Sequence, residues 1–338
     1  MYPDITDLDD PETYDLIRSG DTSGIFQFGQ DCIGSLVKDI QPQNFDEIVH
    51  ILCLGRPGVL DSGMVVEYIT SRAMGKAQYL HPSLEPILKD TFGIIIYQEQ
   101  VMLIAVDVVG LTWKESEKLR KAISKQKTDI LASLKDSFIS GCVSNSLPET
   151  TARELWNQIQ YFGGYGFNKA HAVGYAMLTY LTAYLKAHYP LEYFSALLSI
   201  KGDNDDEIKK YIYEAKQRGI KILNPDINLS SESCNIVNNG IYLPLTFIKG
   251  IGNTACKSII QERSKGEFQL YDDFCKRIVK QKVNKRLCEE LIKAGAFDRL
   301  DIRQKLLGNS QEISDSEMVV KETEALGFYV SDLLDFIS

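Results

Sequence analysis

The sequence lacks the segments and cysteine patterns that would place it in a membrane or in an oxidising compartment. No apolar run reaches the roughly 18 residues of a membrane-spanning helix, and Met1-Tyr2-Pro3-Asp4 leads into acidic sequence, not into a signal peptide. The seven cysteines are odd in number and widely spaced, without a Cys-x-x-Cys pair, so neither a disulfide framework nor a zinc site is expected. These absences predict a cytoplasmic protein whose cysteines are free thiols.

Three common catalytic motifs are also missing. No Gly-x-x-x-x-Gly-Lys-Ser/Thr loop occurs, which excludes a P-loop nucleotide hydrolase. No His-Glu-x-x-His pair and no Gly-x-Ser-x-Gly elbow occur, so the signatures of zinc peptidases and of serine hydrolases are absent.

The chain has fewer basic than acidic residues. Lysine and arginine number 37 against 46 acidic residues, which gives a formal net charge of −9. This balance argues against nucleic-acid binding unless basic residues gather on one face. Hydrophobic residues make up 44% and charged residues 25%, as in ordinary globular proteins, and a length of 338 residues suggests two or three domains.

Apolar residues recur at helical spacing through most of the chain, with breaks at glycine and proline. One long helix is predicted over residues 171–188, before Tyr189-Pro190. After residue 220 the pattern changes, and residues 237–241, with an Asn-Gly pair, indicate a β-hairpin. The sequence thus predicts a mainly α protein with a multi-helix domain (1–220), a small β element (221–246), a helix-hairpin-helix domain (247–300) and a partly ordered C-terminal tail (301–338).

A glycine-rich loop at residues 247–255 is the sharpest local signal. Gly250 and Gly252 allow a tight turn before the apolar-periodic Ile259-Ile260, so that N–H groups at a helix start can bind a nucleic-acid phosphate. This pattern is typical of a helix-hairpin-helix motif, and the alternative is a turn without a ligand. The residues predicted to bind DNA are Lys249, Gly250, Ile251, Gly252, Asn253, Thr254 and Lys257. Nearby basic residues that favour this interpretation are Lys276, Arg277, Lys280, Lys282, Lys285 and Arg286.

A second group of basic residues follows at positions 118–127. Arg120 and Lys121 precede Lys125 by about one helical turn, and such a row suits a triphosphate or a DNA backbone. The alternative is a solvated helix face balanced by Glu115 and Glu117.

A third signal lies at residues 164–176. Lys169 is predicted at a helix start, with His171 and Tyr175 four residues apart on one face. A cation, an imidazole and a tyrosine at a helix N-terminus suit an anion or a nucleotide. The alternative is that His171 and Tyr175 pack in the core.

Taken together, these segments resemble the α subunit of bacterial DNA polymerase III, the C-family replicative polymerase. The resemblance runs in order over about residues 8–300. It is carried by Leu8-Asp9-Asp10-Pro11-Glu12-Thr13-Tyr14, Gly20-Asp21-Thr22-Ser23-Gly24-Ile25-Phe26-Gln27, Arg56-Pro57-Gly58, Ser62-Gly63-Met64, Tyr97-Gln98-Glu99-Gln100-Val101-Met102, Leu119-Arg120-Lys121-Ala122, Tyr165-Gly166-Phe167-Asn168-Lys169-Ala170-His171, Lys186-Ala187-His188-Tyr189-Pro190, Pro225-Asp226-Ile227-Asn228 and Leu291-Ile292-Lys293-Ala294-Gly295-Ala296-Phe297-Asp298.

The resemblance implies that residues 1–220 are the fingers, which close over the incoming deoxynucleotide, and that the hairpin belongs to a duplex-binding region. The family uses two Mg²⁺ ions held by palm aspartates. The Pro-Asp-x-Asp-x-Asp-Phe string that carries two of them is absent, so the metal ligands are expected not to lie on this chain. By resemblance, the nucleotide-binding residues are Arg56, Arg120, Lys121, Lys125, Asn168, Lys169, His171 and Tyr175.

The resemblance predicts the fingers and duplex-binding part of a DNA-directed DNA polymerase, located in the cytoplasm at the nucleoid, or in host cytoplasm if the protein is viral. Its expected partners are a primer-template, a deoxynucleoside triphosphate and a palm-bearing polypeptide. A sliding clamp is a further candidate, although no clear Gln-x-x-Leu/Met-Phe peptide is present. A split enzyme and a truncated gene both remain open. The alternative function is a noncatalytic DNA-binding or replisome-interacting protein.

Overall fold

A computed structural model describes residues 7–163, 166–200, 204–278, 283–301, 303–308 and 314–331. The chain divides into two compact units, Met1–His188 and Tyr189–Ser338. Helices dominate both, and a single three-stranded sheet accompanies them in the described ranges. The prediction of a mainly α fold with a small β element is therefore confirmed, whereas the domain boundaries drawn from the sequence stay predictions.

The first unit is built from helices joined by tight turns. A π-helical turn at Ile104–Val108 continues the helix Gln98–Leu103. Two 3-10 turns, Pro82–Leu84 and Lys89–Thr91, flank the short helix Glu85–Leu88. Its α-helices are α1 (Pro11–Arg18), α2 (Asp31–Ile40), α3 (Phe45–Leu54), α4 (Pro57–Leu60), α5 (Met64–Met74), α6 (Glu85–Leu88), α7 (Gln98–Leu103), α8 (Trp113–Ser124), α9 (Thr128–Ser144), α10 (Glu149–Phe162) and α11 (Lys169–His188).

Helix α11 packs against α1 and α3 through small side chains. Ala172, Ala176 and Ala183 are fully buried, and their short side chains allow the helix axes to approach closely. Tyr180 fixes the end of this contact, because its hydroxyl accepts a hydrogen bond of 2.9 Å from the backbone N–H of Asp10. The helix starts at Lys169, two residues before the predicted position 171, and Lys169 belongs to the candidate site.

A second core of the first unit holds α8 in place. Helices α8, α9 and α10 pack around Trp156 and Phe138, whose ring centroids lie 5.1 Å apart. Leu119 and Ala122 of α8 are buried in this core. The opposite side of α8 is exposed and carries Lys114, Lys118 and Lys121. The core thus fixes which side chains of α8 face solvent.

The second unit packs helices around the three-stranded sheet. Its strands are β1 (Lys221–Leu223), β2 (Asn235–Val237) and β3 (Gly240–Tyr242), in the order β1-β3-β2. Strand β3 pairs parallel with β1 and antiparallel with β2. Its α-helices are α12 (Pro190–Ile200), α13 (Asp205–Gln217), α14 (Asn253–Arg263), α15 (Tyr271–Ile278), α16 (Lys285–Lys293), α17 (Arg303–Leu306) and α18 (Asp315–Leu326).

The described part of residues 301–338 joins the core of the second unit. Phe328 and Val330 are buried in the same cluster as the sheet and α14. Glu322 of α18 is fully buried, where it accepts a hydrogen bond of 3.0 Å from Arg303 and another of 2.7 Å from the Ser331 hydroxyl. Within the described ranges, no helix combines the length and hydropathy that a bilayer crossing requires.

Candidate functional site

A short parallel β-bridge brings the N-terminal ends of α7 and α11 together. The N–H of Phe167 donates to the carbonyl of Ile96 at 3.3 Å, and the N–H of Gln98 donates to the carbonyl of Phe167 at 2.9 Å. The segment before α7 and the segment before α11 therefore lie side by side. Side chains that are about 70 positions apart in the sequence meet at this bridge.

Glu99 and Asn168 satisfy the N-terminal end of α11. The Glu99 carboxylate accepts hydrogen bonds from the Asn168 amide at 2.9 Å and from the Lys169 N–H at 3.1 Å. The Asn168 side chain accepts one from the His171 N–H at 2.8 Å. Because a carboxylate of the chain already occupies this helix end, binding of a phosphate here depends on side chains rather than on helix amides.

Two predicted nucleotide-binding side chains contact the ring of Phe167, and a third, Tyr175, contacts one of these two. The Arg56 guanidinium lies 4.7 Å from its centroid. The His171 ring stacks on it with a centroid distance of 5.6 Å and contacts Tyr175 at 4.2 Å. Tyr175 in turn contacts Phe26 at 5.4 Å. The result is an aromatic surface with cationic edges.

Lys169 extends from the same helix end over Tyr97, with its ammonium nitrogen 5.2 Å from the ring centroid. Below Tyr97 lies His50, which is buried and hydrogen-bonded to the Tyr68 hydroxyl at 2.8 Å. Burial lowers the pKa of His50 to about 4, and the charge of Lys169 acts in the same direction. His50 is therefore neutral at pH 7, and Lys169 supplies the positive charge.

Arg120 of α8 reaches this site through Gln98. Its guanidinium donates to the Gln98 side-chain oxygen at 2.9 Å, and the Gln98 amide donates to the Gly166 carbonyl at 3.1 Å. Glu117 binds the same guanidinium at 2.8 Å through each of its oxygens. This hydrogen bond is the main reason that the pKa of Arg120 is raised, so Arg120 is held as a fixed cation at the edge of the site.

Lys121 and Lys125 lie on a different face of α8 from Arg120. Both line a groove of about 720 Å³ between α8 and α9, together with Lys118. Lys121 pairs with Glu117 at 3.0 Å. Of the eight residues predicted to bind a nucleotide, the structure brings six into one neighbourhood and places these two in the groove.

Sequence reasoning gave no role to Gln98, Glu99 or Phe167, although these residues connect the site. The motif at residues 97–102 stands out in the sequence only by its resemblance to the family, since the residues that it contacts lie far away in the sequence. Gly164 and Tyr165, which belong to the motif at residues 164–176, lie outside the described residues.

The predicted hairpin loop forms the start of α14. Gly250 has a φ of +86°, which favours glycine, and Ile251 is buried beneath the loop. Gly252 is the N-cap residue of α14, so no capping side chain covers the first-turn amides. Asn253, Thr254 and Lys257 are exposed, and Lys257 lies 3.7 Å from the Glu232 carboxylate.

The basic residues near this loop differ in what they contact. Arg277 stabilises the fold, because its guanidinium binds the Glu262 carboxylate and packs on the ring of Phe268. Lys276, Lys285 and Arg286 are exposed. Arg286 and Lys249 line one pocket of about 580 Å³, at which the hairpin loop meets the start of α16. Lys280 and Lys282 lie outside the described residues.

The acidic residues do not form a metal site in the described part of the chain, where no group of three or more His, Cys, Asp or Glu side chains is arranged to hold an ion. Asp10 near the N-terminus instead caps α1 by accepting from the Thr13 N–H, and lies 2.8 Å from His188. The described residues therefore do not form a site for the metal ions of a polymerase.

Two family models match the chain. Residues 2–146 match the bacterial DNA polymerase III alpha subunit finger domain, and residues 219–307 match a helix-hairpin-helix motif. The candidate residues up to Lys125 fall in the first match, and the hairpin loop falls in the second.

Similar proteins carry the same name. The chain is 41% identical to a DNA polymerase III subunit alpha of Aquifex aeolicus over 96% of its own length and 30% of that protein. It is 41% identical to one of Staphylococcus epidermidis, over 94% of the chain and 30% of the relative, and 36% identical to one of Thermus aquaticus, over 90% and 26%. The chain thus spans less than a third of the length of these relatives. It belongs to the bacterial DNA polymerase III α-subunit family, of which it carries the finger and helix-hairpin-helix regions.

Proposed function

We propose that the chain holds the incoming deoxynucleoside triphosphate and the DNA for a DNA-directed DNA polymerase. The observation that supports this best is the convergence of Arg56 and His171 on the ring of Phe167. Lys169 lies over Tyr97, the residue bridged to Phe167, and Arg120 lies at the edge of the same site. Cationic side chains arranged around an aromatic surface suit a ligand that combines phosphates with a flat base.

The three permanent cations would bind the triphosphate. Arg56, Arg120 and Lys169 come from three different helices or loops, so they approach a ligand from different sides. Each already contacts an aromatic ring or a side-chain oxygen, which limits the freedom that is lost on binding. Asn168, His171 and Tyr175 would shape the pocket next to them.

The exposed side of α11 would take the base. Gly174, Met177 and Leu178 follow His171 at helical spacing and are all exposed. An exposed apolar surface rimmed by polar residues marks an interaction site, and a base pair presents a matching flat apolar face.

The hairpin loop would bind the duplex. The uncapped start of α14 offers backbone N–H groups to a phosphate, and Lys249 and Lys257 flank it. These contacts carry no base specificity, as a polymerase that copies any sequence requires.

The chemical step requires Mg²⁺ and carboxylates, and we assign both to a separate palm-bearing polypeptide. The chain described here would orient the nucleotide and the primer-template for that step. A sliding clamp remains a candidate partner, and the cytoplasm, at the nucleoid or in an infected host, is the proposed location.

Nucleotide binding tests the proposed site directly. A fluorescent deoxynucleoside triphosphate should bind the chain, and Lys169→Gln or Arg56→Gln should weaken binding about tenfold, as expected for the loss of one charge-assisted contact. Lys89→Gln, an exposed lysine of the same unit, is the matched control. Equal affinity of all four proteins would disprove the site.

Reconstitution tests the function. The purified chain with Mg²⁺ should extend no primer, whereas a mixture with a palm-bearing polypeptide should do so. DNA affinity that no palm partner converts into synthesis would favour the alternative, a noncatalytic DNA-binding protein.

A further inference from the structure

A row of lysines follows one face of α8. Four of them recur after four, three and four residues, which places them on the same side of a helix, and a fifth lies in the turn to α9. All five are exposed and line one groove between the two helices. The five are Lys114, Lys118, Lys121, Lys125 and Lys127.

The protein neutralises the charge of this groove only in part, because five lysines share it with two glutamates, Glu115 and Glu117. Among the described residues, Lys121 alone of the five has a carboxylate within 4.0 Å, that of Glu117. The other glutamate of the groove, Glu115, accepts hydrogen bonds from the N–H and the hydroxyl of Thr112 at 2.9 and 2.7 Å. Like charges therefore lie next to one another along one side of the groove, although the chain as a whole has a net charge of −9. An anionic ligand would relieve this repulsion.

We propose that this groove binds the sugar-phosphate backbone of single-stranded DNA. Its volume of about 720 Å³ lies within the roughly 300–1,000 Å³ of sites for small ligands, so it has room for part of a flexible strand. A row of lysines tracks phosphates without regard to sequence. Trp113, 58% exposed, stands next to Lys114 in the first turn of α8 and offers an indole ring to an unpaired base.

The groove adjoins the proposed nucleotide site. Arg120, on another flank of α8, belongs to that site through Gln98, and a helix with its side chains is only about 10–12 Å across. A strand on the lysine row would therefore pass close to the incoming nucleotide. The identification of this strand as the unpaired template rests on the proposed function. The inference that the groove binds single-stranded DNA is independent of the proposed function.

Fluorescence anisotropy of a labelled oligothymidylate tests the inference with the full chain. A triple variant, Lys114→Gln with Lys118→Gln and Lys127→Gln, removes three cations that the nucleotide site does not use. We expect it to bind the oligonucleotide at least about tenfold more weakly. The slope of the logarithm of the association constant against the logarithm of the salt concentration should decrease in magnitude by about 0.7 for each lost phosphate contact. Lys38→Gln with Lys76→Gln and Lys89→Gln makes the same charge change at exposed lysines elsewhere in the unit and should retain the affinity.

Tryptophan fluorescence gives a second readout, because the chain has only two tryptophans. Trp156 is fully buried, whereas Trp113 is exposed. Oligothymidylate should quench part of the emission, and Trp113→Phe should abolish that quenching while the signal of Trp156 remains.

Lys121→Gln with Lys125→Gln separates the two candidate ligands. The inference expects this variant to lose affinity for the oligonucleotide and to keep its affinity for a deoxynucleoside triphosphate. The opposite result would assign the lysines to the triphosphate and overturn the inference. Equal losses by the triple variant and its control, or an equal effect on duplex DNA, would overturn it as well. Circular dichroism and urea unfolding establish that each variant is folded, and a failure of primer extension alone would affect only the proposed function.

Discussion

His50 illustrates how a single buried residue couples the site to the stability of the fold. Its ring lies against Tyr68 and Tyr97, and Tyr97 supports Lys169 from the other side. Desolvation lowers the pKa of His50 from 6.5 to about 4, and the positive charge of Lys169 adds to this effect. The folded protein therefore resists a proton that the unfolded chain accepts.

Acidification should destabilise the fold through His50. Between pH 6.5 and about 4 the unfolded state carries a proton on this residue and the folded state does not, so the free energy of unfolding should fall by roughly 3 kcal/mol as the pH decreases. Urea unfolding across this range measures the loss. His50→Asn should remove this contribution and His81→Gln should retain it; the same pH profile in wild type and His50→Asn would contradict the assignment.

Gly174 lowers the stability of α11, because glycine has a low helix propensity. It lies in the interior of α11 and is exposed, and a Cβ atom built on it has no neighbour within 4 Å. Gly174→Ala should therefore stabilise the protein by about 1 kcal/mol, the difference in helix propensity. The matched control is Gly163→Ala, because a Cβ there would lie 2.4 Å from the Ile123 side chain and should lower the midpoint of urea unfolding. A stability of Gly174→Ala below that of wild type would contradict the prediction.

At the scale of elements, spacing and breaks in the sequence predicted the helices well, because apolar periodicity and capping residues act locally. The hairpin was also predicted, but its two turn residues are Asn238 and Asn239, with φ of 50° and 62°, and Gly240 already pairs with Val237. The fold thus uses asparagine for the left-handed positions and glycine in the strand.

The composition of the site was less accessible to sequence reasoning. Six predicted residues meet at the bridge between α7 and α11, yet Glu99, which satisfies the end of α11, was not found because its contact spans some 70 residues. The division of Arg120 from Lys121 follows from helical geometry, since successive side chains point about 100° apart. Tertiary packing decides which flank of α8 belongs to the site, and the sequence does not reveal this packing.

The start of α14 offers a substitution that separates DNA binding from stability. Gly252 has a φ of −81°, and an added Cβ would have open space around it. Gly252→Ser should stabilise the fold by a few tenths of a kcal/mol, because the hydroxyl can cap the first-turn amides. It should weaken binding of duplex DNA about tenfold, because those amides are then occupied.

The controls for this prediction lie in the same unit. Asn204 caps α13 by accepting from the Glu207 N–H at 3.2 Å, and Asn204→Ser, also a good cap, should change neither property much. Gly250→Ala is a poor probe, since its φ of +86° and the nearby Leu287 side chain predict a loss of stability. Unchanged duplex affinity in a stable Gly252→Ser would show that the hairpin amides do not contact DNA.

At the scale of the whole molecule, an acidic chain is proposed to bind a polyanion. Its net charge of −9 opposes the approach of DNA at long range, so binding must arise from a few local contacts. Salt dependence can distinguish local contacts from net charge, because the slope counts the phosphates that are neutralised.

We expect the logarithm of the duplex association constant to fall linearly with the logarithm of the salt concentration, and the slope to report the hairpin cations. Lys249→Gln with Lys257→Gln should reduce the magnitude of the slope by about two, since each phosphate contact contributes about 0.9. Lys210→Gln with Lys221→Gln changes the net charge by the same amount at exposed positions of the same unit and should leave the slope unchanged. Equal reductions in both variants would mean that total charge controls binding, and the proposed role of the hairpin would then be wrong.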